Sequence, residues 1–518
     1  MLLPALGVGA AMLIPFGYLL ARAFEADLAT LQSLIWRPRN LRLLGNTLKL
    51  TALVLAFNAL IALPLAWLTL RSDLKAKGLL TFLCVMPLAI PGYVMAYAIL
   101  GMSGYYGFAH QFFGLRLPRL EGLWGAATAL TLYTFPYMFL NLRAALAGVD
   151  PGLIESARSL GRSRWGAFWA VEAPHLRPAL LTGSLVVGLY VLGDFGVVAL
   201  MRYEAFSWAI YTQYSSAFDR TYAAWLSLML MALTLVFVWA EAAFARNRRF
   251  ARVGTGVARQ ATPAALGAWR VAAWAFLGVV FLASLGLPLL ALIHWMIRGL
   301  PNMDWAQLGG SFLRTVATAG PAALLAVICG LPVALLAARW PSRLSALTER
   351  LAYLGYALPP LAFALAMVFF TLRAAPALYQ SFAVLIFAYV LSFLALTLGP
   401  LRLALWGIGT RREEAARALG SSGPGAFLRV TLPQLRRPMA AGGLLVFIMI
   451  CKELPITYLL APTGYTTLSM NVFSRTSEGM MAEAAPFALA LVVFSSLFVG
   501  LILRYEGSGR GRLPKDRS

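Results

Sequence analysis

Long, unbroken apolar runs alternate with shorter polar connections along the whole of this 518-residue chain. A bilayer core about 30 Å thick needs about 20 apolar residues per helix. Windows of that length predict twelve spans, at roughly 4–24, 48–70, 79–102, 123–146, 179–200, 226–244, 271–297, 312–338, 351–372, 382–405, 441–462 and 485–505. Each run is continuous, whereas a transmembrane barrel alternates apolar and polar positions over about ten residues. The expected fold is therefore an all-α polytopic membrane protein.

Composition agrees with the pattern: 60% of residues are hydrophobic, 12% are charged and the mean hydropathy is +0.76. The first apolar run lacks a basic flank and a small-residue cleavage site and carries Pro15, Phe16 and Tyr18, so it reads as a retained span rather than a signal peptide. Lys and Arg number about 26 in the loops 71–78, 147–178, 245–270, 339–350, 406–440 and the tail, against about 11 in the opposite loops. The positive-inside rule places the richer set, with both termini, in the cytoplasm. The net charge of +23 follows from that topology; the charges are dispersed and form no basic stripe with interleaved aromatics, so nucleic acid is not an expected partner. Cys84, Cys329 and Cys451 all fall inside predicted spans and act as small apolar side chains.

Self-comparison reveals a duplication. Thr47, Pro64, Arg71 and Pro91 match Thr315, Pro332, Arg339 and Pro359 at an offset of 268. Residues 155–174 match 414–433 at an offset of 259, with 11 of 20 positions identical. Six spans is an even number, so two such units insert in the same orientation as parallel repeats. The division expected is a first repeat over 1–244, a solvated linker over 245–270 containing Arg246, Arg248, Arg249 and Arg252, a second repeat over 271–505 and a basic tail over 506–518.

The strongest match lies outside the membrane, in two loops of about 30 residues that carry helix signals. In the first, at 150–174, Asp150 is an N-cap and Pro151 a first helical residue, and the helix ends at Gly161. In the second, at 409–433, Thr410 and Glu413 have capping-box spacing and the helix ends at Gly420. Glycine at each end permits a positive φ and a fold-back into a second helix begun by Ser163 or Ser422 and ended by Pro174 or Pro433. Leu153, Ile154 and Ala157 share a face, with Leu160 beside them, while Glu155, Arg158 and Arg162 point elsewhere. Phe168 and Phe427 are candidate apolar anchors.

The series Glu155, Ala157, Gly161, Pro174, repeated as Glu414, Ala416, Gly420, Pro433, resembles the EAA motif of ABC importer permeases; the first copy departs in reading Glu-Ser-Ala. Two six-span halves, each with this loop between its fourth and fifth spans, resemble the fused iron(III)-type permeases over essentially the whole chain. That resemblance implies a transport subunit that works with two copies of an ABC ATPase gripping the loops, through Glu155, Ala157, Gly161, Phe168, Pro174, Glu414, Ala416, Gly420, Phe427 and Pro433, and with an external or periplasmic substrate-binding protein. It also implies the bacterial inner membrane as location. The sequence contains no Gly-x-x-x-x-Gly-Lys-Ser/Thr loop, so ATP and Mg belong to the partner ATPase and this chain has no cofactor and no catalytic residue.

Ionisable groups inside spans are costly and mark function by default. Asp194 and Glu453 are 259 apart, hence equivalent, and the resemblance puts them, with Lys452 and Pro455, near the translocation path. An alternative makes them partners for Lys452 or for backbone loosened by Gly193 and Pro455. Pro64, Pro91, Pro332, Pro359 and Pro360 are candidate kinks. His110, His175 and His294 show no metal-ligand spacing. The Lys452-Glu453-Leu454-Pro455 run resembles the iron(III) and thiamine branch, so iron(III) is the expected cargo, with thiamine or another small solute as alternative. An ion-coupled secondary transporter explains spans and repeat but not the two loops, and no nucleophile–base group points to a membrane enzyme.

Overall fold

The computed structural model describes residues 2–25, 27–216, 219–246 and 263–510. Of the predicted linker, residues 247–262 lie outside the described residues, with Arg248, Arg249 and Arg252; so do 511–518 of the predicted tail. The described residues are almost wholly helical and contain no strand, only one isolated bridge from Ser72 to Ala264.

Among them, seven helices are long and apolar enough to cross a membrane, and four bent pairs raise the number to eleven if each pair is one span. The fourth predicted span is the 26-residue Gly122–Ala147 helix, which falls outside that number because Thr128, Thr131, Tyr133, Thr134, Tyr137 and Asn141 lower its hydropathy. Twelve helical segments thus occupy the twelve predicted windows, but not as twelve rods.

The repeat-matched prolines explain two of the breaks. Lys77–Ala89 and Gly92–Met102 meet at 91° around Pro91, and Arg343–Ala357 and Pro360–Ala374 meet at 105° around Pro359. A proline lacks the N–H of the helical ladder, and the residue before it is driven to extended backbone. Ile90 has ψ 113° and Leu358 has ψ 147°, as this requires. These are sharp turns, not the kinks expected. Pro64 and Pro332 instead lie within the continuous Pro38–Arg71 and Trp305–Arg339 helices.

The repeats interlock. The first helix, Leu2–Ala23, packs on the second repeat: Phe16 meets Phe363 and Tyr18 meets Phe370 edge to face. Reciprocally, Trp295 in the first span of the second repeat donates through its Nε1 to the Gly101 carbonyl at 3.0 Å. One apolar core accordingly joins Tyr97, Phe135 and Phe195 to Leu292, Phe473 and Leu491. At the end of the linker expected at 245–270, Asp73 accepts from Leu266 N at 3.2 Å and pairs with Arg270 at 2.5 Å, which ties the start of the second repeat to the end of the second span. Apolar side chains such as Leu60, Val279, Leu324 and Leu497 remain exposed on the span exteriors, where lipid is their solvent.

Candidate functional site: two duplicated feet and the cavity between the repeats

The first foot opens with the Pro151–Ser159 helix, whose first turn is capped by Asp150 accepting from Gly152 N at 2.9 Å. The second opens with Arg411–Ala418. Its expected capping box is absent: Thr410 has helical dihedrals (φ −99°, ψ −22°) and makes no side-chain cap, because Glu413 is drawn inward to Arg339 and Thr431. Gly161 and Gly420 end the helices at φ +83° and +90°, with nothing within 4 Å of where a Cβ would sit. The backbone conformation, not crowding, is what calls for glycine there. Ser163 accepts from Gly166 N at 3.1 Å and Ser422 from Gly425 N at 3.2 Å, as N-caps of the returning helices.

The first returning helix does not end at Pro174, whereas the second ends at Gln434, one residue past Pro433. Both pass through a π-turn, Phe168–Glu172 and Phe427–Thr431, at equivalent positions. The wider turn accommodates each proline just beyond it. Trp165–Gly193 then continues as one 29-residue helix, whereas the second copy bends by 66° at Leu435. Phe168 is half-buried between Trp165 and Trp169, and Phe427 is half-buried against the core containing Leu335 and Leu435. Ala157 is buried and Ala416 half-buried, while Glu155 and Glu414 are exposed and form no ion pair with described residues. Equivalent apolar side chains stand exposed on both feet: Leu160 (85%) with Leu419 (89%), and Trp169 (67%) with Leu428 (57%).

An arginine at the end of the second and eighth spans ties each foot to the bundle. Arg71 Nε pairs with Glu172 Oε1 at 3.0 Å, and its Nη2 donates to the carbonyls of Leu146 and Val149 at 3.1 and 3.3 Å. The equivalent Arg339 pairs with Glu413 at 3.1 Å. The acids come from different places: the equivalent of Glu172 is Thr431, and that of Glu413 is Ile154. Thr431 nevertheless hydrogen-bonds Glu413, so a carboxylate reaches the same arginine in both feet by different routes. The sequence match included Arg71 and Arg339 but gave no sign of this exchange.

A cavity of about 220 Å³ lies between the repeats, lined by residues that include Tyr133, Tyr137, Tyr190, Tyr356, Asp194 and Glu453. Tyr190 and Met449 are equivalent (449 − 190 = 259) and approach to 3.9 Å, which puts them on the local two-fold axis. Asp194 and Glu453 sit where the fifth and eleventh spans break. Asp194 Oδ1 accepts from Val197 N at 2.8 Å; Glu453 accepts from Ile456 N and Thr457 N at 2.7 and 2.9 Å. Each caps the short helix that follows, Gly196–Leu200 or Pro455–Leu460. The duplication extends to what holds the breaks: Ser207 and Ser469 donate to the carbonyls of Asp194 and Glu453 at 2.7 and 2.8 Å, and Thr47 and Thr315 accept from Phe206 N and Leu468 N at 3.2 and 3.0 Å. Lys452 does not pair with Glu453; its Nζ donates to the Leu88 carbonyl at 3.0 Å, across the repeat boundary. Pro455 is buried as the first residue of its helix. The histidines are apart: His110 near Arg116, His175 on the Val171 carbonyl, His294 among Phe108, Phe112 and Trp295. Among the described residues no group of three His, Cys, Asp or Glu is placed to hold a metal.

Parallel repeats interlocked around a cavity whose lining includes tyrosines, Asp194 and Glu453, with a duplicated foot that runs into the cavity wall as one helix in the first repeat and through a 66° bend in the second, define a membrane transport permease. The chain belongs to the family of binding-protein-dependent transport system inner membrane components, whose model matches it twice, at residues 58–250 and 330–505. It is 33% identical over 502 residues, 96% of each chain, to the Fe(3+)-transport system permease protein FbpB 2 of Haemophilus influenzae. It is 23% identical over 514 residues to the ferric transport system permease protein FbpB of Actinobacillus pleuropneumoniae, covering 92% of this chain and 72% of that one. A stretch of 155 residues, 29% of this chain and 66% of the relative, is 32% identical to the molybdenum transport system permease ModB of Escherichia coli. The chain is thus the permease subunit of a binding-protein-dependent ABC importer, a membrane protein with a transport role.

Proposed function

We propose that this permease carries iron(III). The observation behind this reading is the end-to-end similarity to the Fe(3+) permease, at 33% identity over 96% of both chains. Two copies of an ABC ATPase, which bind and hydrolyse ATP with Mg, clasp the feet at 150–174 and 409–433. Both termini and both feet face the cytoplasm, and a binding protein delivers cargo to the opposite loops.

The geometry supports a lever mechanism. Leu160 and Leu419 at the fold-back, with Trp169 and Leu428 beyond it, offer each ATPase an apolar tip, flanked by Glu155 and Glu414 for basic partners. Gly161 and Gly420 give the tip its shape, and Ala157, Ala416, Phe168, Phe427, Pro174 and Pro433 fix the two helices against each other. A 29-residue helix is about 43 Å long at 1.5 Å per residue, so movement of the first foot reaches Asp194 at the cavity without an intervening joint. Closure of the ATPases draws the feet together, and the breaks at Asp194 and Glu453 turn with their helices, exposing the cavity to one side and then the other.

Reconstitution in proteoliposomes with the ATPase and the binding protein tests this. ATP-dependent accumulation of radioactive iron(III), lost with an ATPase-dead partner and indifferent to ionophores, is expected. Uptake that collapses with ionophores and ignores the ATPase overturns the mechanism; uptake of thiamine or another small solute in place of iron overturns the cargo.

A further inference from the structure

The cavity is duplicated in position but not in chemistry. At offsets of 259 and 268, the repeat equivalents of Tyr137, Tyr190 and Tyr356 are Leu396, Met449 and Leu88, and that of Tyr133 is Ser392. The fold fills three of the four positions with plain apolar side chains in the other copy, so packing does not require phenols there. The hydroxyls are nevertheless gathered together. Tyr137 Oη donates to Tyr190 Oη at 2.9 Å with the rings stacked at 4.7 Å, and Tyr190 Oη lies 3.3 Å from Tyr356 Oη. Tyr133 donates to Asp194 Oδ2 at 3.2 Å. Tyr133 and Tyr137 are one helical turn apart, and so are Tyr190 and Asp194, so the oxygens form two rungs stacked along the path. Ser392 Oγ, buried in the same lining, has no hydrogen-bond partner among the described residues.

We propose that the phenols of Tyr137, Tyr190 and Tyr356, with the Tyr133–Asp194 rung one turn further on, form a transit site for a hard, highly charged cation, which on the ferric reading above is iron(III). Hard cations take oxygen donors. In an octahedral shell with metal–oxygen bonds of about 2.05 Å, adjacent oxygens lie about 2.9 Å apart; the Tyr137–Tyr190 pair stands at 2.9 Å, and the Tyr190–Tyr356 pair, at 3.3 Å, closes by about 0.4 Å on the ion. A phenol that ligates iron gives up its proton, and the metal–oxygen bond replaces the O–H bond with no change in oxidation state. The Asp194 carboxylate, already accepting from Tyr133, takes the proton of that rung; the protons of Tyr137, Tyr190 and Tyr356 leave on the hydroxide and water that the hydrated ferric ion carries in and gives up as the phenolates replace them. Lys452 in the opposing wall places a positive charge against the cation and opposes its retention, as a site of passage needs.

The test uses the complete permease–ATPase complex in nanodiscs, probed with ferric nitrilotriacetate. Wild type should develop the visible absorption of phenolate-to-iron charge transfer. The triple variant Tyr137→Phe, Tyr190→Phe, Tyr356→Phe, which adds no volume, should lose that absorption, and its ferric uptake in proteoliposomes should fall about tenfold or more. The variant should still co-purify with the ATPase and unfold in detergent at the wild-type temperature, which shows that it is folded. A Glu155→Ala control should lower uptake and keep the absorption. If wild type transports iron(III) and shows no absorption, or the triple variant transports at the wild-type rate, the site is refuted and the ferric reading stands. If wild type transports another solute and no iron, the ferric reading fails and the site falls with it.

Discussion

The exchanged acids of the two feet allow a rescue experiment. Glu172→Thr puts into the first foot the residue that the second has at that position. Arg71 is only 9% exposed, and the change leaves its guanidinium without a carboxylate while the carbonyls of Leu146 and Val149 still accept from it. Removing one member of a buried pair costs about 3–5 kcal/mol, and the surviving carbonyl bonds favour the lower end, about 3 kcal/mol. Adding Ile154→Glu supplies the acid from the first helix, as Glu413 does for Arg339. The double variant should therefore recover more than half of the loss. Unfolding in detergent micelles followed by tryptophan fluorescence gives the stabilities, and co-purification of the ATPase reports whether the foot keeps its shape. The reasoning is refuted if Glu172→Thr shifts stability by less than about 0.5 kcal/mol, or if the double variant is no more stable than the single.

Gly161→Val and Gly420→Val meet open space but force a β-branched residue to positive φ, at about 1–2 kcal/mol each; uptake should fall and the ATPase should co-purify poorly, and unchanged assembly and uptake would count against the docking role. Leu160→Asp with Leu419→Asp should release the ATPase during purification while the permease elutes as wild type, since both side chains are exposed and outside the apolar core. Asp194→Asn keeps an acceptor for Val197 N and should match wild type in stability, whereas Asp194→Ala should lose about 1 kcal/mol of cap. If the asparagine variant also transports at the wild-type rate, the charge of Asp194 has no part in passage.

Hydropathy read the number and place of the helical segments because burial in lipid depends on composition alone. It was blind to the breaks at Pro91 and Pro359, since the bent halves are as apolar as straight ones. The fold-back glycines and the serine caps were legible because they are local backbone requirements, met within four residues. Thr410 misled for the opposite reason: its capping partner Glu413 is claimed by Arg339, 74 residues away. The same holds inside the membrane. Asp194 and Glu453 were found as costly charges, but their capping of the helices that follow, and the separation of Lys452 from Glu453, depend on backbone turns that no spacing reveals. The tyrosine cluster escaped notice because tyrosine is ordinary in an apolar span, and its four members come from three helices.

Duplication supplied the frame, and divergence within it separates what the fold needs from what transport needs. Where both copies keep the same bond, as with Ser207 and Ser469 or Thr47 and Thr315, the residue holds a break that the architecture requires twice. Where the feet reach the same ion pair by different residues, the contact is required and its source is free. The cavity is the third case: the position is kept and the chemistry is present once, on the side of Tyr137 and Tyr190. A path on a two-fold axis needs one passing site rather than two symmetric ones, because cargo moving along the axis meets both walls at the same height. One side can therefore bind, while the other, with Met449 and Leu396, encloses and its Lys452 keeps the cargo from lodging.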